Sequence, residues 1–330
     1  MGEHGPRLRG AARNGRPVSR YRKLKKRARI IRARRRLTST GPVPPPAPFV
    51  CGVTRSGTTL IRLMLDSHPD LAIPGETHWV PKLIRRIEKD RQAPEELAEI
   101  IIDSKRWQEF HLDPDVLRKR VNAIPRANAA DVIRAFYLAY AEREGKTRYG
   151  DKTPGYLREM VRIQRTLPEA RFLHIIRDGR DVSLSHMRMN WGPKTYEESA
   201  QLWVDRIGRA RRMAPKIRHY HEVHFEDLVR DTEGTLRKVC EIIDLEFDPA
   251  MLDYHERAEK RLQEKNVDLV RRHGPTQPAA ARMESHKLAK EPPRTDRLEA
   301  WRRKMTPEEV ASYEKIAGPL LVELGYELSG

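Results

Sequence analysis

The sequence predicts a three-layer α/β fold, in which a central, mainly parallel sheet is flanked by helices. Two observations carry this prediction. An apolar segment at Phe49–Val53 leads into a glycine-containing turn and an amphipathic stretch, and a second apolar segment at Ala170–Ile176 leads into a charged turn and another helical pattern. Strands that alternate with helical patterns are typical of parallel sheets. The 330 residues are enough for one large α/β domain with insertions, or for two domains.

Positive charge is concentrated at the beginning of the chain. The net charge is +18 at pH 7, and residues 1–40 hold 15 of the 65 Lys and Arg residues but a single acidic residue, Glu3. Because this arm has few large apolar residues, it is predicted to be disordered. Within it, Tyr21–Leu37 is a candidate basic helix for an anionic membrane surface or a nucleic acid. Residues 41–48, which include five prolines, are predicted to be an extended linker before the domain at 49–330.

The composition excludes several classes of protein. No apolar run approaches the roughly 18 residues that cross a bilayer, and no apolar stretch follows the basic N-terminus as in a secretory signal. The two cysteines, Cys51 and Cys240, are too few for a disulfide framework or a cysteine-based zinc site. The twelve histidines are scattered, and no metal is predicted. We expect a cytoplasmic protein, which is peripheral to the membrane if the arm binds lipid.

The turn after the first predicted strand has the pattern of a phosphate-binding loop. It consists of Gly52-Val53-Thr54-Arg55-Ser56-Gly57-Thr58-Thr59. Gly57 lets the backbone curl, so that successive N–H groups and the N-terminus of the next helix point at one anion. The spacing matches a Walker A loop except that Thr58 replaces the lysine. Since that lysine reaches the β- and γ-phosphates, its absence disfavours ATP or GTP hydrolysis.

A second candidate anion site follows the strand predicted at Ala170–Ile176. Arg177 stands at the carboxyl end of this strand, where ligands of open α/β sheets bind, and Ser185 comes eight residues later on the next helix. An arginine fork and a hydroxyl suit a phosphate monoester. Two phosphate sites on two strands therefore predict a nucleotide that is phosphorylated at two separate positions.

In these motifs the chain resembles the PAPS-dependent sulfotransferases, where PAPS is 3′-phosphoadenosine 5′-phosphosulfate. The run Arg55-Ser56-Gly57-Thr58-Thr59 is similar to the family's 5′-phosphosulfate loop, and Arg177 to Ser185 is similar to its 3′-phosphate motif. The resemblance is greatest to the branch that holds tyrosylprotein sulfotransferases and many bacterial enzymes, and it covers most of residues 48–330. Other shared stretches are Leu65-Asp66-Ser67-His68-Pro69, Gly75-Glu76-Thr77, Asp151-Lys152-Thr153-Pro154, Phe225-Glu226-Asp227-Leu228 and Leu324-Gly325-Tyr326.

The resemblance implies transfer of a sulfuryl group from PAPS to a hydroxyl acceptor by in-line displacement, with no metal required. Glu76 follows a Pro-Gly turn and matches the family's catalytic glutamate, so it is the candidate general base; burial in the cleft is expected to raise its pKa. His78 is the competing base. Arg55 and Lys152 resemble the family's cations near the transferred group. An ion pair with Asp151 is the alternative role for Lys152.

The resemblance also implies a set of cofactor-binding residues and shows one departure. The set is Arg55, Ser56, Gly57, Thr58, Thr59, Arg177, Ser185 and Arg294. Lys287 and Lys290 are alternatives to Arg294 on the 3′-phosphate side. Where the tyrosylprotein branch carries a further arginine, this chain has Met189, with Arg188 one position away. That part of the cofactor site therefore differs from the family pattern.

The rest of the chain is predicted to surround this site. Residues 80–145 are expected to form a helical subdomain on the acceptor side, and residues 255–297, which are polar and weakly periodic, a mobile lid. Further predictions are a strand at Glu222–Phe225 and helices within 197–219, Thr232–Ile243 and Pro307–Leu324. Aromatic residues that serve either the core or a stacking surface are Trp79, Trp107, Phe110, Trp191 and Trp203.

The sequence leaves the acceptor and two other functions open. A carbohydrate, a glycolipid or a small metabolite is the expected acceptor, and a protein tyrosine is the alternative. A P-loop nucleotide kinase would also use the phosphate loop, but Thr58 in place of the lysine disfavours it. A nucleic-acid-binding protein built around the arm 1–40 predicts steeply salt-dependent binding that is lost when the arm is removed.

Overall fold

A computed structural model describes most of the chain. The described residues are 37–39, 41–89, 94–125, 127–269, 276, 278–284 and 287–330. The predicted basic arm lies outside them except for residues 37–39. In the described part, a parallel sheet lies between layers of helices, which confirms the predicted fold class.

Within the described residues, the main sheet has four parallel strands in an order that requires crossovers. The strands of the structure are β1 (Ala47–Gly52), β2 (Leu71–Ala72), β3 (Arg148–Tyr149), β4 (Asp151–Lys152), β5 (Ala170–Ile176) and β6 (Tyr220–His224). Their order in the main sheet is β4-β1-β5-β6, and β2 pairs with β3 in a separate small sheet. Every pair is parallel. The carboxyl ends of β1 and β5, which precede the two predicted phosphate motifs, therefore lie side by side.

The first strand begins inside the predicted proline-rich linker. Ala47 donates its N–H to the Glu169 carbonyl at 2.9 Å and pairs with Ala170, so the strand includes Pro48. Since successive residues of a strand donate in opposite directions, the missing N–H of Pro48 faces the β4 side, where pairing starts only at Phe49. A proline at this position removes no donor that β4 would need.

Side chains of β1 and β5 alternate between two apolar layers, as expected for a sheet buried on both faces. Phe49 and Phe172 face the layer that includes the helices of residues 80–145. Val50 and Leu173 face the opposite layer, which includes the helix that follows the phosphate loop. Covering both faces in this way leaves the carboxyl edge of the sheet as the place for a ligand.

Helices make up most of the remaining described residues. They are Thr58–Asp66, Val80–Lys89, Pro94–Ile102, Pro114–Asn122, Ala129–Arg143, Met160–Thr166, Gly179–His186, Tyr196–Met213, Phe225–Arg230, Thr232–Ile242, Tyr254–Leu262, Ala279–Glu284, Trp301–Lys304 and Pro307–Glu323. Short 3₁₀ turns lie at Trp107–Phe110, Pro154–Arg158, Ala214–Lys216, Pro249–Met251, Gln263–Lys265, Lys287–Lys290 and Thr295–Arg297. Within the described residues, no helix combines the length and the apolar character needed to span a membrane.

Part of the segment predicted as a mobile lid is a packed helix. The helix Tyr254–Leu262 buries Tyr254, Ala258 and Leu262 against the helix that follows the phosphate loop. These apolar residues are spaced four apart, so they lie on one helix face. The charged residues between them weaken the pattern in the sequence, which is why segment 255–297 reads as polar and weakly periodic.

Four of the five aromatic residues considered for stacking belong to the core. Trp79, Trp107, Phe110 and Trp203 are at most 6% exposed. Trp79 and Phe110 each pack edge-on against Phe136, with ring centroids 4.9 Å apart. Trp191, in contrast, is 41% exposed.

Candidate active site

The loop between β1 and the helix Thr58–Asp66 forms a backbone cradle. Gly57 has a φ of 92°, and a Cβ at this position would lie 2.3 Å from the ring of Phe225. Glycine is therefore required both by the backbone conformation and by the space available. Gly57, the residue at the start of this helix, has no side chain to cap it, and the first N–H groups of the helix are directed into the loop. The cradle is suited to an anion.

Arg55 lies within the cradle and connects it to the second predicted motif. It adopts the left-handed conformation, with a φ of 74°. Its Nε donates to Ser185 Oγ at 2.7 Å. Burial, reinforced by the charge of Arg177, lowers the pKa of Arg55. Two guanidinium groups held close together repel each other, and an anion between them would offset that repulsion.

Arg177 stands directly after β5, where the sequence predicted it. Its guanidinium lies 4.4 Å from the centre of the Phe225 ring. Its Nη2 lies 3.4 Å from both Asp181 Oδ2 and the carbonyl of Arg297. The buried Nε of Arg177 has no hydrogen-bond partner in the described part of the chain. A phosphate oxygen would satisfy this donor.

A second charged cluster surrounds Glu76, in the turn before the helix Val80–Lys89. Lys152 Nζ lies 2.8 Å from Glu76 Oε1. His78 Nε2 and Arg106 Nη2 approach the other oxygen, Oε2, at 2.9 and 3.3 Å. The predicted base and the predicted second cation are therefore direct partners. His78, the competing base, contacts Glu76 and is about half exposed.

Asp151, the alternative partner of Lys152, points elsewhere. Thr77 and Tyr137 donate their hydroxyls to Asp151 Oδ2 at 2.8 and 2.9 Å. Burial raises the pKa of Asp151 to about 6, although these hydrogen bonds act in the opposite direction. Asp151 thus fixes the turn that carries Glu76 against β4, and it leaves Lys152 to pair with Glu76.

The expectation that Glu76 has a raised pKa is wrong. Burial does act in that direction, but Lys152, Arg106 and His78 outweigh it and hold the pKa of Glu76 well below its usual range. Burial lowers the pKa of Lys152, and Glu76 opposes that change. Two of these groups, Lys152 and Arg106, come from distant segments, so only the packed structure shows their effect on Glu76. Glu76 is consequently an ionised carboxylate that can accept a proton, but a weak base.

The two charged clusters share one cleft of about 1010 Å³ at the carboxyl edge of the sheet. The predicted site residues that line it are Arg55, Gly57, Thr58, Thr59, Glu76, Arg177, Ser185 and Arg294. Ser56 and Lys152 are buried behind this lining, and Lys152 contacts Glu76 from there. Within the described ranges, no group of three His, Cys, Asp or Glu residues is placed to hold a metal ion.

The candidate lid cations differ in their surroundings. Arg294 lines the cleft and is exposed, with its guanidinium 2.6 Å from Asp296. Lys290 pairs with Glu259 at 3.0 Å instead. The side chain of Lys287 lies outside the described residues. Of the candidates with a described side chain, Arg294 is therefore the better placed to reach a ligand in the cleft.

The departure from the family pattern at Met189 does not remove positive charge from the cleft. Both Arg188 and Met189 line it, and the exposed Trp191 follows them on the same wall. Arg206 also lines the cleft, and its pKa is lowered by burial and by the neighbouring charge of Arg158. This wall is thus cationic even though the arginine stands one position away from the family's.

Sequence reasoning misses many residues of the cleft, and three of them bear on its chemistry. Phe225 lies in a stretch similar to the family, but only the structure shows that its ring lies against both Gly57 and Arg177. Arg106 and Lys265 line the cleft as well, and no motif in the sequence marks either of them. A resemblance in sequence could have identified Phe225, whereas the other two depend on how distant segments pack.

A phosphate cradle and a second arginine-based anion site at one sheet edge define a class of α/β proteins that bind phosphorylated nucleotides. A family model described as the Sulfotransferase family matches residues 46–249, and the chain belongs to this family. The resemblance predicted from the motifs is thereby confirmed, and the protein is a sulfotransferase enzyme.

The relatives agree with this assignment, and a solved structure shares the fold. Protein-tyrosine sulfotransferase A of Caenorhabditis elegans is 23% identical over 84% of this chain and 67% of its own length. The protein-tyrosine sulfotransferase of Drosophila melanogaster is 28% identical over 64% of this chain, which spans 40% of that relative. The sulfotransferase domain from the curacin biosynthetic pathway has a TM-score of 0.56 at 19% identity, covering 87% of this chain and all of that domain. The likeness to this solved domain concerns the fold alone.

Proposed function

We propose that the protein transfers a sulfuryl group from PAPS to the phenolic hydroxyl of a tyrosyl residue. The observation that supports this best is the shared cleft, in which the cradle, Arg177 and Ser185 lie together with Glu76. Relatives named protein-tyrosine sulfotransferases support the choice of acceptor. The proposal therefore prefers the alternative acceptor over the carbohydrate, glycolipid or small metabolite expected from the sequence.

The described residues fit a nucleotide that carries phosphates at its 3′ and 5′ positions. The backbone around Gly57 and the cation Arg55 would hold the 5′ side. The Ser185 hydroxyl and Arg177, whose Nε has no partner among the described residues, would hold the 3′-phosphate, with Arg294 nearby in the same cleft. When bound, PAPS supplies an activated sulfuryl group on its 5′-phosphate.

Glu76 is the proposed proton acceptor. Its ionised carboxylate takes the proton of the acceptor hydroxyl as the acceptor oxygen forms its new bond. Because neighbouring cations hold the pKa of Glu76 low, this base suits a hydroxyl that loses its proton readily. A tyrosyl hydroxyl, with a pKa of about 10, is far more acidic than the hydroxyl of a sugar. The electrostatics of Glu76 therefore favour a phenolic acceptor.

Lys152 and Arg55 are the proposed electrostatic stabilisers. In the structure, the buried ammonium of Lys152 is paired with the Glu76 carboxylate. Once Glu76 has accepted a proton it becomes neutral, and its electrostatic attraction for the Lys152 ammonium weakens. Lys152 is then a buried cation available to negative charge that develops on the leaving phosphate side, where Arg55 also lies.

Binding of adenosine 3′,5′-bisphosphate tests the donor site. By isothermal titration calorimetry without magnesium, the bisphosphate should bind more tightly than ATP or AMP. Arg177→Ala should weaken this binding about ten- to hundredfold, because hydrogen bonds between charged groups contribute about 1.5–3 kcal/mol. The matched control is Arg237→Ala, since Arg237 also covers an aromatic ring, 4.2 Å from the centre of Phe247, but does not line the cleft. Preference for ATP with magnesium would instead support a P-loop kinase.

A matched pair of peptides tests the acceptor. With PAPS as donor, a tyrosine peptide should gain sulfate, detected as a mass increase, much faster than the same peptide with serine in place of tyrosine. The reason is the greater acidity of the phenol beside a weak base. A phenylalanine peptide controls for transfer to other groups. Faster transfer to free sugars or glycolipids than to the tyrosine peptide would restore the acceptor expected from the sequence.

A further inference from the structure

A fully buried histidine lies directly behind the phosphate loop. His186 is the last residue of the helix Gly179–His186, and neither predicted phosphate motif includes it. It does not line the cleft, whereas Ser185, the residue before it, does. Because buried polar groups need hydrogen-bond partners, the partners of His186 indicate what this residue does.

The ring of His186 joins the loop to the helix Tyr196–Met213. Its Nε2 lies 3.2 Å from the hydroxyl oxygen of Thr54, in the loop. Its Nδ1 lies 2.8 Å from the hydroxyl oxygen of Ser199, a fully buried residue of that helix. Burial lowers the pKa of His186 to about 4, so the ring is neutral at pH 7 and offers one donor and one acceptor. The two hydroxyls satisfy both nitrogens, and Thr54 is thereby connected to a helix of the core.

The same end of the helix Gly179–His186 also holds the next residue of the loop. Ser185 accepts a hydrogen bond from Arg55 Nε at 2.7 Å. Two consecutive residues of the helix thus contact two consecutive residues of the loop. Thr54 and Arg55 both line the cleft. The C-terminal end of this helix therefore supports the part of the loop that faces a ligand.

This part of the loop is strained, so the support matters. Arg55 has a φ of 74°, in the left-handed region that residues with a Cβ rarely adopt. Such a backbone persists only where the surrounding structure holds it. Ser185 holds the side chain of Arg55, and His186 holds the residue before it. Without the histidine the free loop would relax, and binding would have to restore its conformation.

We propose that His186 is a positioning residue that keeps Thr54 and Arg55 in the conformation in which the loop binds the 5′ side of the nucleotide. This inference rests on the proposed function, which assigns the 5′ side to the loop. Arg177, on the 3′ side, is anchored separately, because Trp203 Nε1 donates to its carbonyl at 3.1 Å. Loss of His186 should therefore weaken recognition of the 5′-phosphate and leave recognition of the 3′-phosphate nearly unchanged.

The test compares adenosine 3′,5′-bisphosphate with adenosine 3′-monophosphate, which lacks the 5′-phosphate. In calorimetric titrations the wild-type protein should prefer the bisphosphate, and His186→Leu should lower this preference about five- to thirtyfold, as for loss of one or two neutral hydrogen bonds. The affinity for the monophosphate should stay nearly unchanged.

The matched control is His174→Leu, which should keep the wild-type preference. His174 is also a fully buried histidine, and burial lowers its pKa to about 4. Its ring also contacts a hydroxyl, that of Tyr220 at 2.6 Å, but it lies in β5 and does not line the cleft.

Further variants test whether His186 acts through Thr54. His186→Gln places an amide about where Nε2 stands and should restore most of the preference. The shorter His186→Asn reaches only the position of Nδ1 and should not. In a Thr54→Val background, His186→Leu should change the preference little further, because the contact it removes is already lost. Restoration by asparagine but not by glutamine would overturn the inference, since the contact that matters would then be to Ser199.

The outcomes separate this inference from the proposed function. If the wild-type protein binds neither nucleotide, or binds both equally, the proposed function fails and the inference fails with it. If the wild type prefers the bisphosphate and His186→Leu keeps that preference, His186 does not position the loop. Equal loss of both affinities would make His186 a structural residue and also overturn the inference. His186→Asn replaces the leucine variant if the latter does not fold.

Discussion

Replacing Glu76 with glutamine is expected to lower kcat about 10²–10⁴-fold, the range for a positioned proton acceptor, while the affinity for adenosine 3′,5′-bisphosphate stays within about threefold. Glutamine keeps the shape of Glu76 and an oxygen that can accept from Lys152 Nζ, 2.8 Å away in the wild type. It cannot take the proton of the acceptor. Steady-state transfer of labelled sulfate at saturating substrates measures kcat, and calorimetry measures the affinity for the bisphosphate.

The control for this substitution is Glu109→Gln. Glu109 is 1% exposed and pairs with the same Arg106, at 3.2 Å, but it does not line the cleft. Its loss should reduce stability, as loss of Glu76 does, because each variant leaves a cation with one partner fewer. Only the Glu76 variant should lose most of its turnover. If Glu76→Gln loses turnover and bisphosphate affinity in equal measure, Glu76 is a binding residue and not the base.

Replacing Gly57 with alanine is expected to weaken bisphosphate binding about a hundredfold or more, since it disturbs both phosphate sites at once. The added Cβ would lie 2.3 Å from the Phe225 ring, which must then move. That ring lies 4.4 Å from the guanidinium of Arg177, so its displacement reaches the 3′-phosphate side as well. Calorimetric titration and thermal unfolding, measured on the same preparation, check the result.

Gly145→Ala isolates the part of this effect that comes from backbone strain. Gly145 also has a positive φ, of 69°, but nothing lies within 4 Å of the position of its Cβ. Both alanine variants should therefore lose a similar amount of stability from the left-handed conformation, about 1 kcal/mol. Only the Gly57 variant should lose nucleotide affinity. Normal affinity in Gly57→Ala would show that the cradle does not hold the nucleotide.

The fold class and the two phosphate motifs could be predicted because each depends on neighbouring residues. The predicted strand Ala170–Ile176 matches β5 residue for residue. The glycine at position 57 has the positive φ that the loop pattern requires. Arg177 and Ser185 both line the cleft, since a strand end and the helix that follows it are fixed relative to each other. Local spacing was therefore sufficient for this half of the site.

The electrostatics of the other half could not be predicted from local patterns. Glu76 and Lys152 are 76 residues apart in the chain, and Arg106 comes from a segment between them. Their charges act through space, and together they reverse the direction in which burial alone would move the pKa of Glu76. Lys265 lies between the stretches Phe225–Leu228 and Leu324–Tyr326 that resemble the family, and it belongs to neither. Only the packing of the chain brings it to the cleft.

The pairing of Arg62 with Glu264 has a consequence for where the functional unit ends. The family match stops at residue 249, yet the only described carboxylate oxygen within 4 Å of the fully buried Arg62 guanidinium is supplied by Glu264. A fragment trimmed to residues 46–249 would lose Glu264 together with the helix Tyr254–Leu262, which packs against the helix that carries Arg62, so it would both break this ion pair and expose apolar surface. The segment recognised by sequence similarity is thus shorter than the folded unit that pairs the charge of Arg62.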